Sequence, residues 1–586
     1  MNTKITWFAS VWVGLGATLG PAHAQDMAEG GSMAPALDPF ITEAFDLGLV
    51  TGFAVAVVKD DEVVYLRGFG WADVKNERKV TPDTVFYIAS STKAFTGTAA
   101  AILDQRGELD LDAPLSVLAP ALRLHEGLSA DRITLRDLIT HTHGVTNSGA
   151  VTFRSAFSGE QTHELLMELL PRHEPAESGR DFVYGNIGYN IASLVMFEAL
   201  GKGWKDILAA EIFEPLGMRS TTGYVSRIPE ARLAMPYMIS PTGFKRLSYV
   251  KGDSNMHAAG GLVTTVGDLS RWLRANLNEG RIGNESVLNA SAIDEAKRTA
   301  VDQADTFQQF QRTGYGLGWH TGSYDGDAFT HCFGSFSGFF SHVSFMPDRG
   351  IGVTVLVNTS ATGMFLSDLV SRYIYDRLLE KPDTNKRYRE EMDQIKAMSV
   401  QIRERIAADA KRRAARPQTL PHPLEAYAGL YENADYGQIE FSVVEGDRLE
   451  ATMGRLRSDV EVYDNERNML RVELLGGGMV VAFDFEDSDQ ATALEFRGLR
   501  FDRVSPPPAA PQTTTTDDTA EGTDSIIELS DDEMELREAF NKVYWSSEFT
   551  LAQLALEVAA STAVMMAPSF GSQPTPGEPH NGISLH

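Results

Sequence analysis

The sequence predicts a mixed α/β (α+β) protein: a large domain whose antiparallel sheet is closed by segments far apart in the chain around a helical middle, then a small antiparallel β domain. Three observations lead there. Residues 52–58 and 62–69 read as strands about the polar turn Lys59-Asp60-Asp61, and residues 338–345 and 350–358 form a second such pair about Pro347-Asp348-Arg349-Gly350. The middle between these pairs carries helix signals. Beyond residue 424, β-type runs return at 438–444 and 479–485, divided by Gly446-Asp447 and Gly476-Gly477-Gly478.

In the middle, residues 94–103 are rich in strong helix formers, and Leu269, Trp272, Leu273 and Leu277 follow Thr264-Thr265 at helical spacing. Phe365, Leu366, Leu369, Val370, Tyr373, Ile374 and Leu378 make the stripe of a helix lying on the sheet, which places the large domain at residues 35–380. Residues 383–416 are densely charged, with Ile395, Met398, Ile402 and Ile406 as a narrow stripe ahead of Pro417, Pro421 and Pro423, and read as a linker helix. The β domain takes 424–504. The tail, 505–586, with Pro506-Pro507-Pro508, threonines at 513–516 and an acidic run at 517–538, buries too little apolar surface to offset ordering and is expected to be largely disordered. One apolar stretch in it, 551–566, is compatible with a helix.

A length of 586 residues fits two domains plus tails. Lys4, an apolar run at 5–19 and Pro21-Ala22-His23-Ala24 before Gln25 make the charged, apolar, small-residue pattern of a secretory signal, so cleavage near Ala24 and export to the periplasm or beyond are expected. The apolar run is shorter than the ~20 residues that span a bilayer, so no stable membrane insertion is expected. A formal charge of -28 repels nucleic acid and anionic membrane surfaces, which drop out as partners. Cys332 is the only cysteine, which excludes an intramolecular disulfide and a cysteine-cluster metal site. Neither metal nor cofactor is expected, and the oligomeric state is left open.

Ser90-Ser91-Thr92-Lys93 opens a predicted helix, where residues three apart share a face. A neutral serine hydroxyl is a poor nucleophile and needs a base within about 3 Å. A lysine partly desolvated beside another cation or a tyrosine can lose its proton near neutral pH, so Lys93 can activate Ser90. A helix N-terminus adds a positive backbone field, and the Ser90 N–H is a natural oxyanion donor. Tyr184-Gly185-Asn186 supplies a hydroxyl that can relay a proton to a leaving group and an amide that can hold substrate or Lys93. Cys332 beside His331 does not make a thiol enzyme, because adjacent strand residues point to opposite faces. His141 and His143 lack a third ligand at metal spacing. Gly334-Ser335-Phe336-Ser337-Gly338 has phenylalanine where a nucleophile elbow needs serine.

With Leu135-Arg136-Asp137-Leu138-Ile139-Thr140-His141-Thr142, Ala259-Gly260-Gly261-Leu262-Val263-Thr264-Thr265 and Tyr315-Gly316-Leu317-Gly318-Trp319, these motifs make the chain resemble the serine β-lactamase and penicillin-binding protein superfamily over residues 35–380. The likeness is to its class C branch, with D-aminopeptidases, family VIII esterases and the linear-microcystin peptidase. It implies a β-lactamase/transpeptidase-like fold. It also implies a third motif, a strand bearing Lys-Thr-Gly or His-x-Gly, whose backbone after the glycine gives the second oxyanion donor. If Gly334 is that glycine, the position two before it is Cys332 and the histidine stands one early at His331. Either a one-residue bulge restores His331 or Cys332 replaces it; we place His331 near the cleft and Ser335 N–H in the oxyanion hole. Tyr427-Ala428-Gly429-Leu430-Tyr431-Glu432-Asn433 with Tyr436-Gly437 is similar to the start of lipocalin-like, barrel-forming domains appended to such hydrolases, expected to border the cleft or pack behind it.

The expectation is an exported serine hydrolase with Ser90, Lys93 and Tyr184 as catalytic residues and Asn186, His331, Gly334 and Ser335 lining the substrate and oxyanion site. A missing strand lysine removes a partner for the carboxylate of penicillins or D-Ala-D-Ala ends. That ranks peptidase or amidase action on short linear peptides first, linearised microcystin-type or D-residue peptides among them, and carboxylesterase or weak β-lactamase action second. A non-catalytic peptidoglycan-binding protein is the rival from another class, disfavoured because Ser90, Lys93, Tyr184 and Asn186 are all present.

Overall fold

The computed structural model describes residues 30–504 apart from 148, 446, 447, 476 and 487. The expected signal segment and the acidic tail lie outside the described residues. Strands β1 (Gly52–Lys59), β2 (Glu62–Asp73), β3 (Arg78–Lys79), β4 (Val301–Phe307), β5 (Phe310–Tyr315), β6 (His320–Tyr324), β7 (Asp327–Phe336), β8 (Phe339–Met346) and β9 (Ile351–Val357) form one nine-stranded antiparallel sheet in the order β4-β5-β6-β7-β8-β9-β1-β2-β3. The distant ends meet as expected, with β1 and β9 in register from Phe53↔Val357 to Lys59↔Ile351.

Strand side chains alternate between faces, yet β1 is apolar and buried from Phe53 to Val58 because both faces of the sheet are covered. Helices α1 (Ala34–Phe45), α2 (Thr92–Gln105), α3 (Ile187–Leu200), α4 (Val266–Leu277), α5 (Thr362–Leu378) and α6 (Thr384–Ala414) supply the cover and the helical subdomain. On one face Ala54, Ala56, Val343 and Cys332 pack with Phe95 of α2 and Leu269 and Trp272 of α4. On the other, Val55, Val57, Val353 and Val355 meet Leu37 and Ile41 of α1 and Leu366, Leu369 and Ile374 of α5. The α5 stripe is therefore the sheet-facing side. Thr265 caps α4, its side chain accepting the Asp268 N–H at 3.0 Å. The charged helix α6 does not stand free: Tyr388, Met392, Ile395 and Ile402 are buried in the α1 and α5 layer. The hairpin β4–β5 is a departure from a mostly helical middle.

Eight further strands, from Gly429–Asn433 to Leu499–Val504, close into a barrel, the last pairing with the first through Leu430↔Val504. Its interior is filled by Tyr431, Phe441, Val481, Phe483 and Phe501. The barrel is docked on the hydrolase fold: Arg154 Nε donates to the Asp435 carbonyl at 3.1 Å, the Arg455 N–H to the Ser158 carbonyl at 3.0 Å, and Ser337 Oγ to the Leu475 carbonyl at 2.7 Å. Phe336, at the end of β7, packs edge-on and tilted among Tyr87, Tyr249 and Phe157, with ring centroids at 5.5, 5.3 and 5.7 Å, and also touches the barrel core.

Candidate active site

Ser90 sits in the tight turn Ala89–Ser91 that leads into α2. Ala89 has φ +44°, a left-handed conformation that costs a residue with a β-carbon about 1 kcal/mol or more, so its surroundings must impose it. They do so by hydrogen bonds: Ile88 N–H to the Leu262 carbonyl at 3.0 Å, Ser341 Oγ to the Ile88 carbonyl at 2.7 Å, and Ser91 Oγ with Ser341 Oγ at 2.8 Å. The Ala259-Gly260-Gly261-Leu262 segment wraps the start of α2, with Leu262 N–H donating to Thr92 Oγ1 at 3.1 Å.

Lys93 lies one turn on and is 1% exposed. Its Nζ is 3.0 Å from Ser90 Oγ, 2.8 Å from Asn186 Oδ1 and 2.9 Å from the Ala259 carbonyl. Two of these partners are oxygens that only accept. A neutral amine has two N–H groups and one lone pair, so the lone pair is left for Ser90, the one partner with a proton to give. Burial lowers the Lys93 pKa to about 7, so the amine form is available at neutral pH.

Tyr184 completes the group. Its hydroxyl is hydrogen-bonded with Ser90, and its ring centroid lies 5.0 Å from Lys93 Nζ. Burial pushes its pKa up to about 12, opposed by the Ser90 hydrogen bond and the charge of Arg312. The neighbouring Asn186 opens α3, yet it does not use its side chain as a cap. Asn147 Oδ1 takes the N–H groups of Asn186 at 2.7 Å and Ile187 at 3.2 Å, which leaves the Asn186 amide free for Lys93. A β-carbon at Gly185 would lie 2.1 Å from that Asn147 oxygen, so the middle of Tyr184-Gly185-Asn186 is glycine for want of room.

His141 and His143 support this wall, and among the described residues no group of three or more metal-ligating side chains gathers. His141 packs under Tyr184, ring centroids 4.7 Å apart, and shares a hydrogen bond with the Tyr315 hydroxyl at 3.1 Å. His143 Nδ1 accepts the Val145 N–H at 3.0 Å, and burial lowers its pKa to about 4.

The third strand corrects one expectation. The ladders of β7 are continuous, from Tyr324↔Asp327 to His320↔His331 with β6 and from Thr330↔Phe345 to Phe336↔Phe339 with β8, so no bulge shifts the register. His331 is therefore not at the cleft: it is fully buried on the α5 side, where its Nε2 accepts from Arg312 Nε at 3.2 Å. Cys332 takes the position two before Gly334, on the α2 side, hydrogen-bonded with Ser91. Burial pushes its thiol up to about 12, so it is no thiolate at neutral pH. Gly334 lies against Ser90, and Ser335 is exposed. Because β6 stops opposite His331 while β8 runs on to Phe336, residues 332–336 keep one edge without a strand partner among the described residues, beside the serine.

Asn147 and His320 belong to the site yet lie outside the sequence motifs, whereas the Ala259 carbonyl that holds Lys93 comes from one of them. His320 stacks on Tyr184 with centroids 5.8 Å apart and is held by Gln303 Oε1 at 2.9 Å from its Nδ1. Its place one residue after Tyr315-Gly316-Leu317-Gly318-Trp319 was the only available hint.

A Beta-lactamase family profile matches residues 38–372. Among characterised proteins the chain is similar to the unguisins hydrolase ungD' of Aspergillus campestris, 25% identical over 472 residues, covering 76% of this chain and 85% of that protein. It is also similar to protein flp of Staphylococcus aureus, 24% identical over 331 residues, covering 56% of this chain and 63% of that protein, under two thirds of its length. Among solved structures, the octameric penicillin-binding protein homologue from Pyrococcus abyssi superposes with a TM-score of 0.51 at 22% identity, over 80% of this chain and 99% of that one, a likeness of fold.

Proposed function

We propose, from the premise that the chain belongs to the Beta-lactamase family and is a serine hydrolase, that it is a peptidase or amidase of short linear peptides working through an acyl-enzyme on Ser90. The observation that carries this reading is Lys93 Nζ at 3.0 Å from Ser90 Oγ with its other two partners restricted to acceptors.

Lys93 takes the Ser90 proton as Oγ attacks the substrate carbonyl carbon. The N–H groups of Ser90 and Ser335 hold the oxyanion. The C–N bond then breaks, Tyr184 gives its proton to the leaving nitrogen, and the proton on Lys93 passes back to Tyr184. Water attacks the acyl-enzyme ester, the same groups take its proton and return one to Ser90 Oγ, and the acid product leaves.

Two features support a peptide substrate. Cys332 in the third-motif position puts no cation where a β-lactam or D-Ala-D-Ala carboxylate would seek one. The relative named unguisins hydrolase aligns over most of both chains. Export, with the mature chain beginning after Ala24, belongs to the same reading and is supported by the signal-like sequence before it.

The test is mass-spectrometric product analysis of the purified protein and its Ser90→Ala variant on one mixture of short linear peptides, D-residue peptides and simple acyl esters. Peptide cleavage by the unmodified enzyme alone supports the reading, ester cleavage alone replaces it with a carboxylesterase, and equal cleavage by both proteins overturns the Ser90 mechanism.

A further inference from the structure

The two N–H groups proposed to hold the oxyanion stand on different supports. That of Ser90 belongs to the turn fixed through Ile88, Leu262 and Ser341. That of Ser335 belongs to the tip of the β7–β8 hairpin, where Phe336 pairs with Phe339 across the turn Ser337-Gly338. Hydrogen-bonded and non-hydrogen-bonded pairs alternate along an antiparallel ladder, and a two-residue turn closes on a hydrogen-bonded pair, so the Ser335 N–H points away from β8, toward the edge that β6 leaves open. The tip gains its support from side contacts instead. At Gly338 it rests on Pro236, where a β-carbon would lie 2.1 Å from the proline Cβ. At Ser337 it is tied to the barrel, Oγ donating at 2.7 Å to the carbonyl of Leu475, which lies between the barrel strands Met469–Val472 and Met479–Asp484. Phe336 shares the α2 side of the pleat with Gly334, and its ring leans on Tyr249 and Phe157, both packed with the barrel core. Over that ring, 4.1 Å from its centroid, stands Nζ of the buried Lys251, itself held by the carbonyls of Ala156 and, at 3.1 Å, Asn255.

We propose that the barrel serves the reaction by holding this hairpin: Phe336 and Ser337 are positioning residues through which it sets the Ser335 N–H opposite the Ser90 N–H. The inference rests on the Ser90 acyl-enzyme reading above and concerns how its second oxyanion donor is kept in place.

Other contacts of the barrel separate this role from plain docking. The bonds from Arg154 Nε to the Asp435 carbonyl and from the Arg455 N–H to the Ser158 carbonyl fasten it to a segment remote in sequence from β7. Ser248 Oγ donates to the Arg457 carbonyl at 3.1 Å, a serine-to-barrel bond of the same kind as that of Ser337 but made from the loop after the hairpin strand Gly243–Arg246. Loss of either serine bond leaves the barrel fastened by the others. Only the loss at Ser337 releases the strand that carries the donor.

The test measures kcat, KM and thermal melts of the full chain and its Ser337→Ala, Ser337→Thr, Ser248→Ala, Phe336→Leu and Ser90→Ala variants, on whichever peptide or ester the wild type cleaves. The oxyanion exists only after attack, so a displaced donor weakens the transition state and not the bound substrate: Ser337→Ala should lower kcat ~5-fold with KM little changed, a modest loss because Pro236 and the ladder still support the tip. Ser337→Thr keeps the hydroxyl and should restore kcat. Ser248→Ala, which removes the matching bond away from β7, should turn over like the wild type. Phe336→Leu gives up the ring contacts and should lower kcat ~10-fold or more, again with KM little changed. A folded Ser337→Ala or Phe336→Leu enzyme with the wild-type kcat overturns the inference, as does a loss in Ser337→Ala that Ser248→Ala reproduces. If Phe336→Leu does not fold, the serine variants decide alone. Retained hydrolysis by Ser90→Ala would instead sink the underlying reading.

Discussion

Gly334 and Ser90 meet so closely that a β-carbon on the glycine would lie 2.8 Å from the Ser90 nitrogen and 2.0 Å from the Ile88 oxygen. Both obstacles are backbone, so neither can swing aside. Gly334→Ala should pry β7 away from the turn and separate the two N–H groups proposed to hold the oxyanion, which lie on either side of this contact. The expected result is a fall in kcat of ~100-fold and a loss of stability of about 1–3 kcal/mol. Steady-state kinetics and melting read the two effects, and an unchanged kcat would show that the oxyanion donors lie elsewhere.

Burial of Lys93, whose pKa falls to about 7, sets the pH dependence. Below that value the ammonium has no lone pair for the Ser90 proton; above it the amine does. Activity should therefore rise with pH through ~7, on kcat/KM as a property of the free enzyme. Lys93→Met and Lys93→Arg should be silent at every pH, the second because a guanidinium does not give up its proton in this range. A rising limb centred near the ordinary lysine value would mean that Lys93 is solvated and is not the base.

Ser90, Lys93, Tyr184 and Asn186 were legible because each pair is set by local geometry: one turn of helix for the first, the start of α3 for the second. The β7 register was half legible. Counting back from Gly334 gives Cys332, and the pleat puts it opposite in direction to His331; the expected bulge has no counterpart in the ladder. Asn147 and His320 were not legible, because they reach Asn186 and Tyr184 across loops and strands whose neighbours are fixed only by tertiary packing. The β4–β5 hairpin that carries Arg312 lay inside a stretch whose surroundings read as helical. The barrel was visible in its glycine punctuation, its docking through Arg154, Ser337 and Arg455 was not.

Cys332 occupies a position where the resemblance implies a lysine or histidine, and its chemistry there is inert. The thiol is 4% exposed, is pushed up to about 12 by burial, and has no histidine on its own face of β7. Cys332→Ala should keep activity within about three-fold and cost about 1 kcal/mol, the transfer and cavity terms of a small buried group. The folded protein should resist iodoacetamide at pH ~8 and react once unfolded. Loss of activity on labelling of the native enzyme would show that the thiol is open to the cleft.

Asn147 joins the start of α3 to the residue that holds Lys93. Its carboxamide oxygen takes the N–H groups of Asn186 and Ile187 at 2.7 and 3.2 Å, two donors at the helix start that no carbonyl of the helix can satisfy. With that acceptor gone in Asn147→Ala, the freed N–H groups lose their partner and the Asn186 amide is drawn from Lys93 toward the helix start. The expected cost is about 1 kcal/mol of stability and a fall in kcat of ~10-fold with KM little changed, since Lys93 loses an acceptor that fixes its lone pair on Ser90. Asn147→Asp keeps the oxygen and places negative charge at a helix N-terminus, so it should regain the melting temperature. Its charge also favours the ammonium of Lys93, and the rising limb should move to higher pH. Melts and pH profiles of the two variants separate these effects; an Asn147→Ala enzyme that melts and turns over like the wild type would remove Asn147 from the site.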